Sequence, residues 1–173
     1  NGTSSRIDIG DQTVYDFGAT DSFSVVAWTK TSLAGSVVQA ISKVDGTLKG
    51  FQLEKQSNNI LRFFIFDGNT LTGASFIDTI NDDVWHLAIG VRDVTNDNVK
   101  SYLDGNLKQT TSDTTTGTFS TTGTLMLGAR SDSTQFWSGQ LDDVRIYNRV
   151  LNAYEISQLY AVEIVAVNAG ALT

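Results

Sequence analysis

Apolar and polar residues alternate with a period of two along most of this chain. Phe23, Val25 and Ala27 alternate with Ser24, Val26 and Trp28, and Phe51 and Leu53 with Gln52 and Glu54. Leu61, Phe63 and Ile65 alternate with Arg62, Phe64 and Phe66. Leu87, Ile89 and Val91 alternate with His86, Ala88, Gly90 and Arg92, and Leu125 and Leu127 with Thr124 and Met126. Successive side chains of a strand point to opposite faces, so each run predicts a strand. Asp45-Gly46, Asp67-Gly68-Asn69, Asn81-Asp82-Asp83, Asn96-Asp97-Asn98 and Asp104-Gly105-Asn106 separate the runs with turn-forming residues. Many short strands joined by such turns predict an all-β, antiparallel two-sheet sandwich. The Ser/Thr-rich stretch 110–124 is expected to be an edge strand and loop.

The period changes once, between Phe136 and Tyr160. After Gly139, the residues Leu141, Val144, Ile146 and Tyr147 predict a strand. Asp142 shares a face with Val144 and Ile146 at the strand's entrance, where a bare carboxylate is costly to bury. Asn152 and Glu155 then have capping-box spacing, and Leu151 and Ile156 fit the apolar staple beside it. Ile156, Leu159 and Tyr160 form a stripe at helical spacing. A short helix over 152–160, lying on the sheet, is predicted.

Bulk properties narrow the classes. A chain of 173 residues with a 40% apolar fraction fits one globular domain. The net charge of -7 argues against nucleic acid and anionic membrane as partners and is compatible with a bound cation. Cysteine and proline are absent, so neither a disulfide framework nor a rigid linker is visible. No apolar run of about 18 residues occurs, which predicts no membrane insertion.

Trp85-His86, Ser101-Tyr102-Leu103-Asp104-Gly105, Leu125-Met126-Leu127-Gly128 and the run from Gly139 to Arg149 together resemble the laminin-G-like, concanavalin A-like jelly-roll domains. Phe23 to Trp28 is similar to that family's early strand. The resemblance spans residues 1–160, and leaves 161–173 as a C-terminal extension. It implies a two-sheet jelly roll, mostly extracellular or cell-surface members, and roles in binding glycans or surface proteins or in adhesion. Many such domains bind calcium.

Catalysis finds little support. The chain has only Glu54, Glu155 and Glu163, with no Glu-x-Asp-x-Glu run, whereas retaining glycoside hydrolysis needs two carboxyls about 5 Å apart. His86, the sole histidine, excludes a usual zinc site and is expected to be structural. Asp142 is the candidate calcium ligand, with Asp8, Asp16 and Asp21 as co-ligands implied by the resemblance; the alternative is a carboxylate accepting backbone N–H groups in a turn. Arg62, Phe66, Tyr102, Arg130 and Trp137 are candidate ligand-binding residues, since aromatic faces beside polar groups suit sugars.

Resembling domains place an apolar strand, reading like Gly-Ala-Leu-x-Phe, ahead of the segment matching Asn1 to Ile9. Here Gly170-Ala171-Leu172-Thr173 looks like that strand, and Val162, Ile164 and Ala166 alternate as a strand does. The tail, including Val162, Ile164, Ala171 and Leu172, is therefore an expected docking strand. Three arrangements stay open: docking on its own copy, donation to a neighbouring copy with head-to-tail filaments, or a piece of a tandem array. Two functions compete: a recognition module for glycan or surface protein, calcium-stabilised in one version, and a self-assembling structural subunit.

Overall fold

The computed structural model describes residues 2–168. Its strands are β1 (Ile7–Gly10), β2 (Phe23–Lys30), β3 (Val38–Val44), β4 (Gly50–Lys55), β5 (Ile60–Phe66) and β6 (Leu71–Thr79). They continue with β7 (His86–Asp93), β8 (Asn98–Leu103), β9 (Asn106–Ser112), β10 (Leu125–Leu127) and β11 (Gln140–Tyr147), followed by helix α1 (Ala153–Asn168). One sheet has six strands in the order β1-β10-β3-β4-β5-β6, and the other has five in the order β11-β2-β7-β8-β9. Every pairing is antiparallel. The expected sandwich is therefore present.

One apolar phase of each alternating run faces the other sheet. Phe23 sits at the centre of this slab, stacked on Phe17 with centroids 4.2 Å apart, tilted against Phe51 at 5.3 Å and edge-on to Phe63 and Phe119 at 6.0 and 6.2 Å. Burying one such ring stabilises the fold by about 2 kcal/mol. Gly90, in the middle of β7, lets Phe63 lie against the backbone; a Cβ there would stand 2.1 Å from the ring.

The other phase of β2 and β7 is apolar too. Val26, Trp28, Leu87, Ile89 and Val91 form a second cluster on the outer face of the five-stranded sheet, closed by Leu151 and Ile156. Tyr160 stacks on Trp28 with centroids 5.9 Å apart. The helix start follows the expected capping box: the Glu155 amide donates to Asn152 Oδ1 and the Asn152 amide to Glu155 Oε2, both at 2.9 Å. Leu151 and Ile156 are buried.

Two expectations are corrected. The helix does not stop at Tyr160 but runs to Asn168, so Val162 and Ile164 lie on a helix and not on a docking strand. Neither glycine nor proline interrupts 153–168, and β-branched residues cost a helix only tenths of a kcal/mol each. Ala171 and Leu172 lie outside the described residues. In β11 one extra residue enters between Asp142 and Arg145, with Asp143 at φ 44°. The bulge inverts the alternation, so Asp142 pairs opposite Trp28 and shares the helix-side face, while Ile146 pairs opposite Val25 in the core.

Loops are fixed to this frame by buried charge. Lys43, on β3, is fully buried and its Nζ contacts Asp11 at 3.1 Å, Asp16 at 3.0 Å and the carbonyls of Thr121 and Gly123 at 3.2 and 3.1 Å. Asp67 accepts the amides of Asn69, Thr70, Thr116 and Gly117, joining the β5–β6 turn to the 113–124 loop. Burial pushes its carboxyl up, and the four amide donors more than reverse this, holding it at about 2.

Removing the Lys43 cation strands its partners, so Lys43→Met should cost about 3 kcal/mol in urea unfolding, whereas Asp11→Asn, at an exposed partner, should cost under about 1 kcal/mol. The depressed value of Asp67 gives stability that is complete above the ordinary carboxylate value of 3.8 and lost as pH falls toward about 2. Asp67→Asn should therefore lower stability at pH 7 by about 2 kcal/mol and flatten the acid limb, read from urea midpoints at pH 7 and pH 3.

Candidate ligand-binding face

The outer face of the six-stranded sheet carries polar rows where its opposite face carries the core. Directly opposed residues in an antiparallel sheet share a face. Gln39, Glu54 and Arg62 stand opposite one another across β3, β4 and β5. Met126, Ser42, Gln52, Phe64 and Gly73 form the next row across β10 to β6.

The first row is hydrogen-bonded along its length. Arg62 donates through Nε and Nη2 to Glu54 Oε1 at 3.2 and 2.7 Å, and Gln56 Nε2 donates to the same oxygen. Gln39 Nε2 donates to Glu54 Oε2 at 2.9 Å and to Gln135 Oε1 at 2.8 Å. Gln39 Oε1 is buried and unpartnered. The Arg62 guanidinium lies 4.6 Å from the Phe64 ring centroid, so the cation covers the aromatic face. Phe64 is accordingly buried.

The connection between β10 and β11 forms one wall. Gln39 N donates to Gln135 O and Gly128 N to Ala40 O, both at 3.0 Å. Ser131 Oγ donates to Thr124 O at 2.8 Å and accepts from Val44 N at 3.1 Å. Ser131 Oγ also lies 3.2 Å from Ser42 Oγ. This staples Arg130 and Asp132 at the rim. The Arg130 guanidinium holds the Asp132 carboxyl at about 2 against partial burial, and the Asp132 carboxylate raises Arg130 in return, with Glu54 adding to the effect. Between this wall and the Asp45–Leu48 turn lies an open cavity of about 300 Å³.

Arg62 is bonded to Glu54, while Arg130, in the β10–β11 connection, is paired with Asp132 and feels the Glu54 charge. Phe66 lies on the same face, half-buried at the end of β5. Tyr102 and Trp137 do not join them. Tyr102 lies on β8 in the cluster beneath the helix. Trp137 is buried in the central core with Nε1 donating to Lys30 O at 3.4 Å, because the Gly139 turn folds it inward. Gln39, Gln135 and Asp132 are site residues that sequence reasoning missed. The alternating polar phase of β3 points to Gln39; no periodic signal marks the two loop residues.

The four aspartates considered for calcium have separate engagements. Asp142 Oδ1 accepts Asp143 N at 2.7 Å, Asp8 Oδ1 accepts Gly10 N at 2.9 Å and Asp21 Oδ2 accepts Gly18 N at 2.7 Å. Asp16 pairs with Lys43. Among the described residues no group of three acidic or histidine side chains is arranged to hold a metal ion. His86 sits between Asp104, 2.7 Å from Nδ1, and Asp82, 3.2 Å from Nε2. Asp104 also accepts Leu87 N at 2.9 Å, so the histidine secures the β7–β8 end of the sheet.

Solved structures confirm the architecture. The binding domain of botulinum neurotoxin serotype G superposes with a TM-score of 0.73 at 19% identity, over 93% of this chain and 42% of that one. The binding domain of Paraclostridial Mosquitocidal Protein 1 gives 0.72 at 17% identity, over 92% and 41%. The botulinum serotype D ligand binding domain in complex with N-acetylneuraminic acid gives 0.73 at 14% identity, over 95% and 42%. The chain spans about two fifths of the length of these structures, and at such identity the likeness is one of fold. No curated protein matches the sequence. The concanavalin A-like lectin/glucanase model named Laminin_G_3 matches residues 1–157. A match over nearly the whole sandwich places this chain in the Laminin_G_3 family of the concanavalin A-like lectin/glucanase superfamily.

Proposed function

We propose that this chain is a non-catalytic recognition module that binds glycan on the outer face of its six-stranded sheet, in an extracellular or cell-surface setting. The observation that carries this reading is the Gln39–Glu54–Arg62 row. In it the buried Gln39 and Glu54 fix Arg62, the partly exposed member of the row, over the Phe64 ring. Such preorganised polar groups suit hydroxyl-rich ligands, whose binding otherwise loses affinity to side-chain ordering. The serotype D toxin domain, similar in fold, has been captured with a sugar. That neighbour supports a glycan ligand without locating a site on this chain.

The same geometry speaks against hydrolysis. Glu54 and Asp132 are the carboxylates of this face near the arginines. Glu54 has both oxygens taken by Arg62, Gln56 and Gln39. Asp132, held at about 2, does not carry the proton that a general acid must deliver near neutral pH. Head-to-tail strand donation forms no part of this proposal, since Val162 and Ile164 are helical.

Isothermal titration with an oligosaccharide selected from a glycan array tests the reading. Arg62→Ala should weaken binding at least about tenfold, the loss of one or two charge-assisted hydrogen bonds. Array silence, or undiminished binding by the folded variant, would contradict the proposal.

A further inference from the structure

The charge arrangement of the face carries a statement about which glycans it takes. Five charged groups border it: Glu54 on β4, Arg62 on β5, Arg130 and Asp132 in the β10–β11 connection, and Asp45 across the cavity. Three negative groups against two positive ones leave the face slightly negative, on a chain whose net charge is -7. Neither arginine is a free cation. Arg62 turns its Nε and Nη2 toward Glu54, and Arg130 turns the same two nitrogens toward Asp132. Side-on binding of a ligand carboxylate needs that edge of the guanidinium. Both edges are occupied from within. What remains is Nη1 of each arginine, the amide groups of Gln56 and Gln135, and backbone groups along the cavity, all suited to hydroxyls.

We propose that this face selects uncharged, hydroxyl-rich glycans and discriminates against sialylated and uronate-bearing ones. The selectivity is built into the chain by pairing each arginine with an internal carboxylate. An acidic sugar must either displace Glu54 or Asp132 from its arginine, or bind end-on to a guanidinium whose charge that carboxylate already offsets, on a face with no net positive charge. This inference rests on the glycan reading above and deepens it. It separates this chain's ligand class from that of the serotype D toxin domain, whose structure contains N-acetylneuraminic acid.

The test is a glycan array carrying neutral oligosaccharides beside their sialylated and uronate-bearing counterparts, probed at low and high salt. Neutral members should bind at least about tenfold more tightly than their acidic counterparts, with little salt dependence. Asp132 is half-exposed, so Asp132→Asn should fold normally, as checked by its melting curve. It releases the Arg130 edge and should narrow the gap at least about threefold, with the gained acidic binding lost again at high salt. Equal or stronger binding of acidic members by the unmodified chain would overturn the selectivity while leaving the glycan reading intact. An unchanged gap in Asp132→Asn would overturn the assigned cause. An array on which the unmodified chain binds nothing would overturn both readings.

Discussion

The packing of Phe23 against Phe17, Phe51, Phe63 and Phe119 is the contact on which the rest of the molecule depends. It joins the two sheets, the segment before β2 and the loop before β10 in one place. Because strand side chains alternate, committing one phase of each strand to this slab commits the other phase to an outer face. The two sheets then differ in how they treat that face. On the five-stranded sheet it is apolar and is covered by α1, with Tyr160 over Trp28. On the six-stranded sheet it is largely polar, with Gln39 and Arg62 bonded to Glu54 and Gln52 to Ser42.

This division gives the candidate site its character. Buried polar side chains in a sheet cost stability unless paired, and Gln39, Gln52, Ser42 and Glu54 are all buried. They are retained as two hydrogen-bonded pairs, Gln39 with Glu54 and Gln52 with Ser42, between Arg62 at one side and Arg130 with Asp132 at the other. The arrangement is rigid because its members sit on strands or on a loop stapled to a strand by Ser131. This rigidity, with each arginine paired to an internal carboxylate, is what the proposed recognition role rests on.

Much of the fold was legible because alternation, turn residues and the Asn152–Glu155 cap are local signals. The period of β5 alone places Arg62, Phe64 and Phe66 on one face. Four features were not legible. The bulge at Asp143 moves Asp142 to the helix side, and nothing short of the pairing register reveals it. Trp137 reads as a candidate ligand-binding residue because its burial depends on the Gly139 turn bringing it under the sandwich edge. Val162 to Asn168 alternates like a strand yet continues a helix, since a capped helix without a stop residue propagates more readily than a strand forms without a partner. The loop residues Gln135 and Asp132 gained their roles only from the three-dimensional return of the β10–β11 connection.

The central claim is that recognition occurs on the outer face of the six-stranded sheet. Amide and side-chain NMR shift mapping during titration with an array-selected oligosaccharide tests it most directly. The account predicts that the largest shifts cluster at Gln39, Glu54, Arg62, Arg130 and Gln135, with Trp28, Tyr102 and Tyr160 unmoved. Shifts centred on the helix side, or on the β1–β11 edge with the polar rows unmoved, would contradict it.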